Sequence, residues 1–112
     1  IIFLHYINID MPNSIKDNII KNLHTVYDPE IPVDIYELGL IYNLKINSKG
    51  LVDIIMTLTS PNCPVAEILP EQVKTAAKKT KGVKDVNLKL VFEPPWTPDM
   101  MSEAAKVELN ME

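Results

Sequence analysis

The chain has 112 residues, 46% of them hydrophobic, and eleven basic residues against fifteen acidic ones leave a net charge of −4. One domain with a two-layer core is therefore expected, and a disordered chain is excluded. The acidic balance argues against a nucleic-acid-binding protein, which normally carries a basic face. The longest apolar run falls well short of the roughly 20 residues that cross a bilayer, so no transmembrane segment is predicted.

The chain opens with a mostly apolar segment, residues 1–10, that differs in composition from the rest. We interpret this segment as a leader or as an extra edge strand, and residues 11–112 as a single domain. A capping-box spacing begins at Ser14, and helical periodicity follows it. This first helix is expected to end near Tyr27, because Pro29 disfavours a helical conformation in the residue before it.

Two segments of alternating apolar and polar residues predict a β-hairpin. The first strand covers residues 40–46, with Tyr42 assigned to the apolar face, and the second covers residues 52–58. Residues 47–50 end in glycine and predict the turn that joins the strands.

A second helix, a third strand and a last helix complete the chain. Apolar residues at helical spacing predict the second helix, and Pro70 is expected to kink it or to loosen its first turn. Gly82 suits the carboxyl end of this helix, and alternation over residues 86–92 predicts the strand. Thr97 followed by Pro98 has the pattern of an N-cap and a first helical position, so the last helix is expected to begin there.

The predicted order of elements is therefore α-β-β-α-β-α. A two-layer α+β fold satisfies this order, with a three-stranded mixed sheet and helices on one face. If the second and third strands are parallel neighbours, the helix between them forms a right-handed crossover.

Cys63 is the only cysteine, so the chain cannot form an internal disulfide, and a reducing compartment such as the cytoplasm is favoured. It precedes Pro64 at a predicted helix start, where backbone amides favour the thiolate that binds metal or attacks a substrate. A small buried core residue is the alternative interpretation. His24 is the one credible partner for a Cys–His pair, and nothing in the sequence brings the two together, so no enzyme is predicted.

Two loops carry further candidate contacts. Asp28, Glu30 and Asp34 lie in a proline-marked loop that could bind a cation or a partner. Turn formation and solvation are the commoner explanation for such residues. Trp96 lies between two prolines and is interpreted as folding back over the sheet edge, with an anchor for a partner as the alternative.

Three segments occur in a characteristic order and spacing: DPEIPVDIYELGLIY at 28–42, MTLTSPNCP at 56–64 and FEPPWTPDMMSEAAK at 92–106. Together they resemble the PaaD/SufT-type family of iron–sulfur cluster assembly domains. PaaD itself carries extra C-terminal cysteines that this sequence lacks, so the simpler SufT-like, single-domain member is the better match.

The resemblance implies a compact α/β domain that assists the maturation of iron–sulfur proteins. It implies that Cys63 is the residue that contacts or transfers the cluster. It also implies that the acidic loop with Asp28, Glu30 and Asp34 lies on the site side of the fold, and that Thr59 leads into the cysteine loop.

The lead hypothesis is a transient cluster carrier or targeting factor, because a stable cluster generally needs four thiolates and this chain has one. The other ligands would come from a homodimer partner, a small thiol, oxygen or nitrogen groups, or another protein. We therefore expect an iron–sulfur cluster that is bound transiently or is absent after purification. The expected partners are an iron–sulfur scaffold and client apo-proteins, without nucleic acid or membrane. The alternative is an adaptor that docks these proteins through the acidic loop and Trp96 without binding metal.

Overall fold

The computed structural model describes residues 15–29, 31–59 and 65–109, and for residues 65–67 it describes the backbone alone. The leader, Ser14, Glu30 and Cys63 therefore lie outside the described residues. The helices and strands, in chain order, are α1 (15–23), β1 (Ile41–Ile46), β2 (Leu51–Met56), α2 (Val65–Lys78), β3 (Asp85–Leu90) and α3 (Glu103–Glu108). None of the helices that the structure describes is both long and apolar enough to cross a membrane.

The three strands form one mixed sheet in the order β1-β2-β3, as predicted. β1 and β2 are antiparallel, while β2 and β3 are parallel, with Val52 opposite Val86 and Ile54 opposite Leu88. Parallel neighbours need a crossover connection, which α2 supplies. β2 is therefore the central strand, and the chain runs from its carboxyl end toward α2.

Apolar side chains of β2, α1 and α2 build the core on one face of the sheet. Fully buried side chains on these three elements include Ile19, Leu23, Ile54, Met56, Leu69 and Val73. The four helical residues among these belong to the apolar stripes predicted for the two helices, while the side chain of Val65, the first residue of the second stripe, lies outside the described residues. On the other face Lys45, Asp53 and Asn87 lie side by side and are exposed, so the middle of that face meets solvent. The fold is the predicted two-layer α+β arrangement.

The predicted alternation in β1 is wrong at Tyr42. The pairing of β1 with β2 shifts between Ile41 and Asn43, which is the signature of a β-bulge. Ile41 and Leu44 both pack against the core as a result. Tyr42 instead donates a hydrogen bond from its hydroxyl to the carbonyl oxygen of Pro94, at 2.7 Å.

The helix boundaries differ from the sequence prediction at two places. α1 ends at residue 23 rather than near Tyr27, and a turn follows in which the Thr25 amide donates to the Asn22 carbonyl at 3.0 Å. The segment after Thr97 forms only a 3₁₀ turn, Pro98–Met100, and the Thr97 side chain makes no capping hydrogen bond. Ser102 is the N-cap of α3.

α2 runs through Pro70 as one helix from Val65 to Lys78. Pro70 is the sixth residue of the helix, where the amide would otherwise donate to the carbonyl one turn back. The loss of this one bond does not interrupt the helix, because Leu69 and Val73 on either side of Pro70 are fully buried against the core. Tertiary packing therefore outweighs the local penalty.

Candidate functional site

The acidic loop, residues 28–39, folds back against the end of α1. Tyr27 and Asp34 form an isolated antiparallel bridge across its base. The Asp28 amide donates to the Val33 carbonyl at 3.3 Å, and the Ile35 amide donates to the Val26 carbonyl at 2.8 Å. The loop is therefore a closed structure with its own backbone hydrogen bonds.

The two acidic side chains that the structure describes in the predicted site, those of Asp28 and Asp34, hold this loop together. Asp34 Oδ1 accepts hydrogen bonds from the amides of Tyr36 at 3.0 Å and Glu37 at 2.9 Å, as a helix-capping residue does. Asp28 Oδ1 accepts from the amide of Ile31 at 3.0 Å. Both residues are buried, so turn formation accounts for much of their chemistry.

His24 contacts the acidic loop, and the sequence analysis did not predict this contact. Its Nδ1 lies 3.1 Å from Asp34 Oδ1 and 3.7 Å from Glu37 Oε2. The imidazole ring also packs against the Tyr36 ring, with the ring centres 5.0 Å apart. The sequence placed His24 inside a helix that reaches Tyr27, whereas in the structure α1 ends at residue 23 and the loop that follows brings the acidic residues back to His24.

The C-terminal segment, residues 94–102, closes over the turn of the acidic loop. The Ser102 amide donates to the Glu37 carbonyl at 2.9 Å, and the Ser102 hydroxyl also bonds to the Glu37 carboxylate. Trp96 is half-buried against the core and donates from Nε1 to the Leu38 carbonyl at 2.7 Å. Glu37 and Ser102 were missed by sequence reasoning, because 65 positions separate them in the chain.

The carboxyl end of β2 leads toward the predicted cysteine site. Thr59 is half-buried and is followed by residues 60–64, which the structure does not describe and which include Cys63. Among the described residues, no three His, Cys, Asp or Glu side chains are grouped so that they could hold a metal ion. The distance from the acidic loop to Cys63 therefore stays outside what the structure describes.

Thr57 is a buried residue at this end of β2 that sequence reasoning also missed. Its amide donates to the Leu40 carbonyl at 2.8 Å, which continues the pairing of the strands. Its side chain is fully buried, and its hydroxyl is the one buried side-chain polar atom without a hydrogen-bond partner in the described part of the chain. Such a group normally costs about 1–3 kcal/mol.

Comparison with known proteins gives the chain its family. Residues 16–90 match the family model described as iron–sulfur cluster assembly protein. A protein of Porphyromonas gingivalis named Fe-S protein maturation auxiliary factor is 52% identical, with 85% of this chain and 90% of that protein covered. The Fe-S protein maturation auxiliary factor SufT of Staphylococcus aureus is 41% identical, over 77% of this chain and 98% of that protein.

The fold is also shared with a solved structure. The crystal structure of a domain of unknown function, DUF59, from Bacillus anthracis superposes with a TM-score of 0.81 at 33% identity. The match covers 89% of this chain and 95% of that one. The segments singled out in the sequence and these matches agree, and the chain belongs to the PaaD/SufT-type family of iron–sulfur cluster assembly proteins.

Proposed function

We propose that this protein is a maturation factor for iron–sulfur proteins that hands on an iron–sulfur cluster as its cargo, with the Cys63 thiolate as an exchangeable ligand. Support comes from the two relatives whose names state a role in Fe-S protein maturation. Both are named auxiliary factors and neither is named an enzyme. The acceptors would be client apo-proteins, and the donor would be an iron–sulfur scaffold.

The topology around β2 is the observation that carries this proposal. Cys63 falls in the sequence between the carboxyl end of the central strand and α2, whose first residue is Val65. The amino end of a 14-residue helix carries unpaired amides and a partial positive charge. The partial positive charge at such an end stabilises a thiolate near it, and the thiolate is the form that binds iron.

The chemistry of one thiolate favours transfer over storage. Stable clusters are generally held by four cysteine thiolates, and the chain contains one cysteine. The other ligands must then come from outside this chain, through a donor protein, an acceptor protein, a second copy or a small thiol. A cluster held in this way exchanges ligands readily, so binding is transient and the cluster passes to the protein that completes its coordination.

The adaptor alternative draws less support from the contacts in the structure. It relies on the acidic loop and Trp96 as surfaces for partners. Asp34 already accepts two backbone amides, and Trp96 already donates its only side-chain hydrogen bond to Leu38. These groups would need to leave internal partners to bind another protein.

Anaerobic reconstitution with iron and sulfide tests the carrier proposal. The wild type is expected to gain visible absorption from a bound cluster and to pass the cluster to an apo-ferredoxin. Cys63→Ser is expected to lose both, while Ser48→Ala, in the exposed β1–β2 turn, keeps both. Equal cluster loading and transfer by Cys63→Ser and the wild type would contradict the proposal, as would failure of the wild type under conditions that load a known scaffold.

A further inference from the structure

Tyr27 lines three neighbouring cavities on one side of the molecule. A groove of about 620 Å³ runs from Tyr27 along α2, past Ile68 to Lys79. A second cavity of about 170 Å³ lies between Tyr27 and Ile68 beside Pro29, and a third of about 60 Å³ separates Tyr27 from Glu108 of α3. We call these three cavities together the Tyr27 surface.

The two large apolar side chains of this surface are exposed although the backbone beneath them is fixed. Tyr27 and Ile68 are each 58% exposed. Tyr27 forms a backbone bridge with Asp34, and Ile68 lies within α2. The backbone at both positions is therefore already ordered before a partner binds. Rigid, exposed aromatic and aliphatic side chains beside a groove are typical anchors of protein interfaces, because little conformational entropy is lost on binding.

Charge divides the Tyr27 surface into an acidic end and a basic end. The small cavity on one side of Tyr27 is lined by Asp34, Glu37 and Glu108. The groove on the other side is lined by Glu71, about one helical turn after Ile68, and becomes basic only at Lys79, eleven residues after Ile68 or about 16 Å along a helix. A segment that binds here is therefore complementary to the surface when the segment itself carries a cation at the α3 end and an anion toward the end of α2.

We propose that the Tyr27 surface receives a segment of a partner iron–sulfur protein that carries a large apolar side chain next to a lysine or arginine. The apolar side chain packs between Tyr27 and Ile68, and the cation faces the exposed carboxylate of Glu108. This inference rests on the proposed function for the nature of the partner.

The position of the surface fits a handover of cargo. Ile68 lies one helical turn after Val65, the first residue of α2, and Cys63 precedes Val65 by two positions in the chain. A partner anchored at Ile68 is thus bound beside the segment that carries the cysteine. Docking there raises the effective concentration of the partner's ligands near the cluster.

Photo-crosslinking tests the proposal with the full chain expressed in a bacterium that lacks its own maturation auxiliary factor. A photoreactive phenylalanine analogue replaces Tyr27, Ile68 or, as the matched control, Leu51, which is 43% exposed in β2. Mass spectrometry of the crosslinked peptides identifies the segment bound. The analogue at Tyr27 or Ile68 is expected to crosslink to iron–sulfur proteins, through segments with an apolar residue adjacent to a lysine or arginine. The analogue at Leu51 is expected not to crosslink to them.

Charge reversal supplies a second readout. Glu108→Lys is expected to lower the crosslinking yield at Ile68 by about fivefold, as the loss of one favourable charge pair would. Glu93→Lys, at an exposed position that lines none of the three cavities, leaves the yield unchanged. Thermal unfolding of both variants checks that each remains folded.

Several outcomes overturn the proposal. These are crosslinks confined to residues 1–14 of the same chain or to a second copy, partner segments without a cation, and products equal to those of the Leu51 control. Cys63→Ser separates this proposal from the proposed function. Loss of cluster transfer with crosslinks retained supports both, whereas retained transfer with the expected crosslinks contradicts the carrier proposal alone.

Discussion

The acidic loop and the carboxyl end of β2 use their polar and apolar groups in opposite ways. In the acidic loop Asp34 accepts two amides and lies against His24, and the C-terminal segment bonds to the loop through Ser102. Where β2 leads into α2, the Thr57 hydroxyl is buried without a partner among the described residues, and Ile68 is exposed beside a groove. The carboxylate of Asp34 has partners within the acidic loop, whereas the Thr57 hydroxyl and the Ile68 side chain have no comparable use among the residues that the structure describes.

This difference shows that conspicuous residues need not be the functional ones. A lone tryptophan and a group of acidic residues between prolines suggest a binding surface. In the structure, however, Asp34 and Trp96 form hydrogen bonds within the chain. Tyr27 and Ile68 belong to residue types that sequence analysis assigns to packing, and both remain more than half exposed. The acidic loop is better described as the rigid frame beside the proposed docking surface.

The largest expected effect comes from breaking the contact between the acidic loop and the C-terminal segment. Gly39 has a φ of +82°, and a Cβ there would overlap the carbonyl oxygen of Met100. Gly39→Ala is therefore expected to lower the free energy of unfolding by more than about 3 kcal/mol, measured by urea denaturation. Gly82→Ala is the control, because its φ of +96° is also strained but its Cβ would meet only the flexible end of Ile15. Equal losses in the two variants would show that the C-terminal segment is not held against the loop.

Removing the central acceptor of the acidic loop should have the next largest effect. Asp34→Ala leaves the amides of Tyr36 and Glu37 without their acceptor and is expected to lower the free energy of unfolding by about 2 kcal/mol. Asp34→Asn keeps an acceptor oxygen and should lose roughly half as much, through its weaker interaction with His24. The same urea titration compares the variants. A loss in Asp34→Asn as large as in Asp34→Ala would mean that the charge, and not the capping of the turn, stabilises the loop.

The smallest effect is expected at the end of β2, with the opposite sign. Thr57→Val removes a buried hydroxyl that has no partner in the described part of the chain and keeps the shape of the side chain, so the free energy of unfolding should rise by about 1 kcal/mol. Thr57→Ser keeps the hydroxyl, loses a buried methyl group and should destabilise by about 1 kcal/mol. Thermal unfolding followed by circular dichroism distinguishes these changes. Destabilisation by Thr57→Val would reveal that the hydroxyl has a partner in solution and that the contrast with the acidic loop is weaker than described.

Local patterns in the sequence were sufficient to predict most of the fold. Alternation located all three strands to within about two residues of their observed ends, since side chains point to opposite faces in turn. The crossover through α2 and the mixed sheet followed from the order of elements and simple topological rules. The bulge in β1 was not predictable in this way, because it depends on how Tyr42 reaches Pro94 across 52 positions.

The candidate site was less predictable than the fold. Ser102, and not Thr97, caps the last helix, because contacts between Ser102 and Glu37 position the start of α3. The approach of His24 to Asp34 depends on the path of a loop that local propensity does not determine. Cys63 was selected as a candidate ligand because it precedes a predicted helix in the sequence and because the chain resembles a known family. Its role as a ligand stays a prediction.

The contacts between the C-terminal segment and the acidic loop also bear on how the chain reaches its native state. Trp96 meets Leu38 across 58 positions, and Ser102 meets Glu37 across 65. Closing loops of this length costs about 2 kcal/mol more chain entropy than closing the short turn of the β1–β2 hairpin, so we expect these contacts to form after the local ones. During synthesis the acidic loop leaves the ribosome long before the residues that complete it. We expect opening of either part to expose the groups that join them, the Ser102 amide and the Trp96 indole nitrogen, so that the two parts open together.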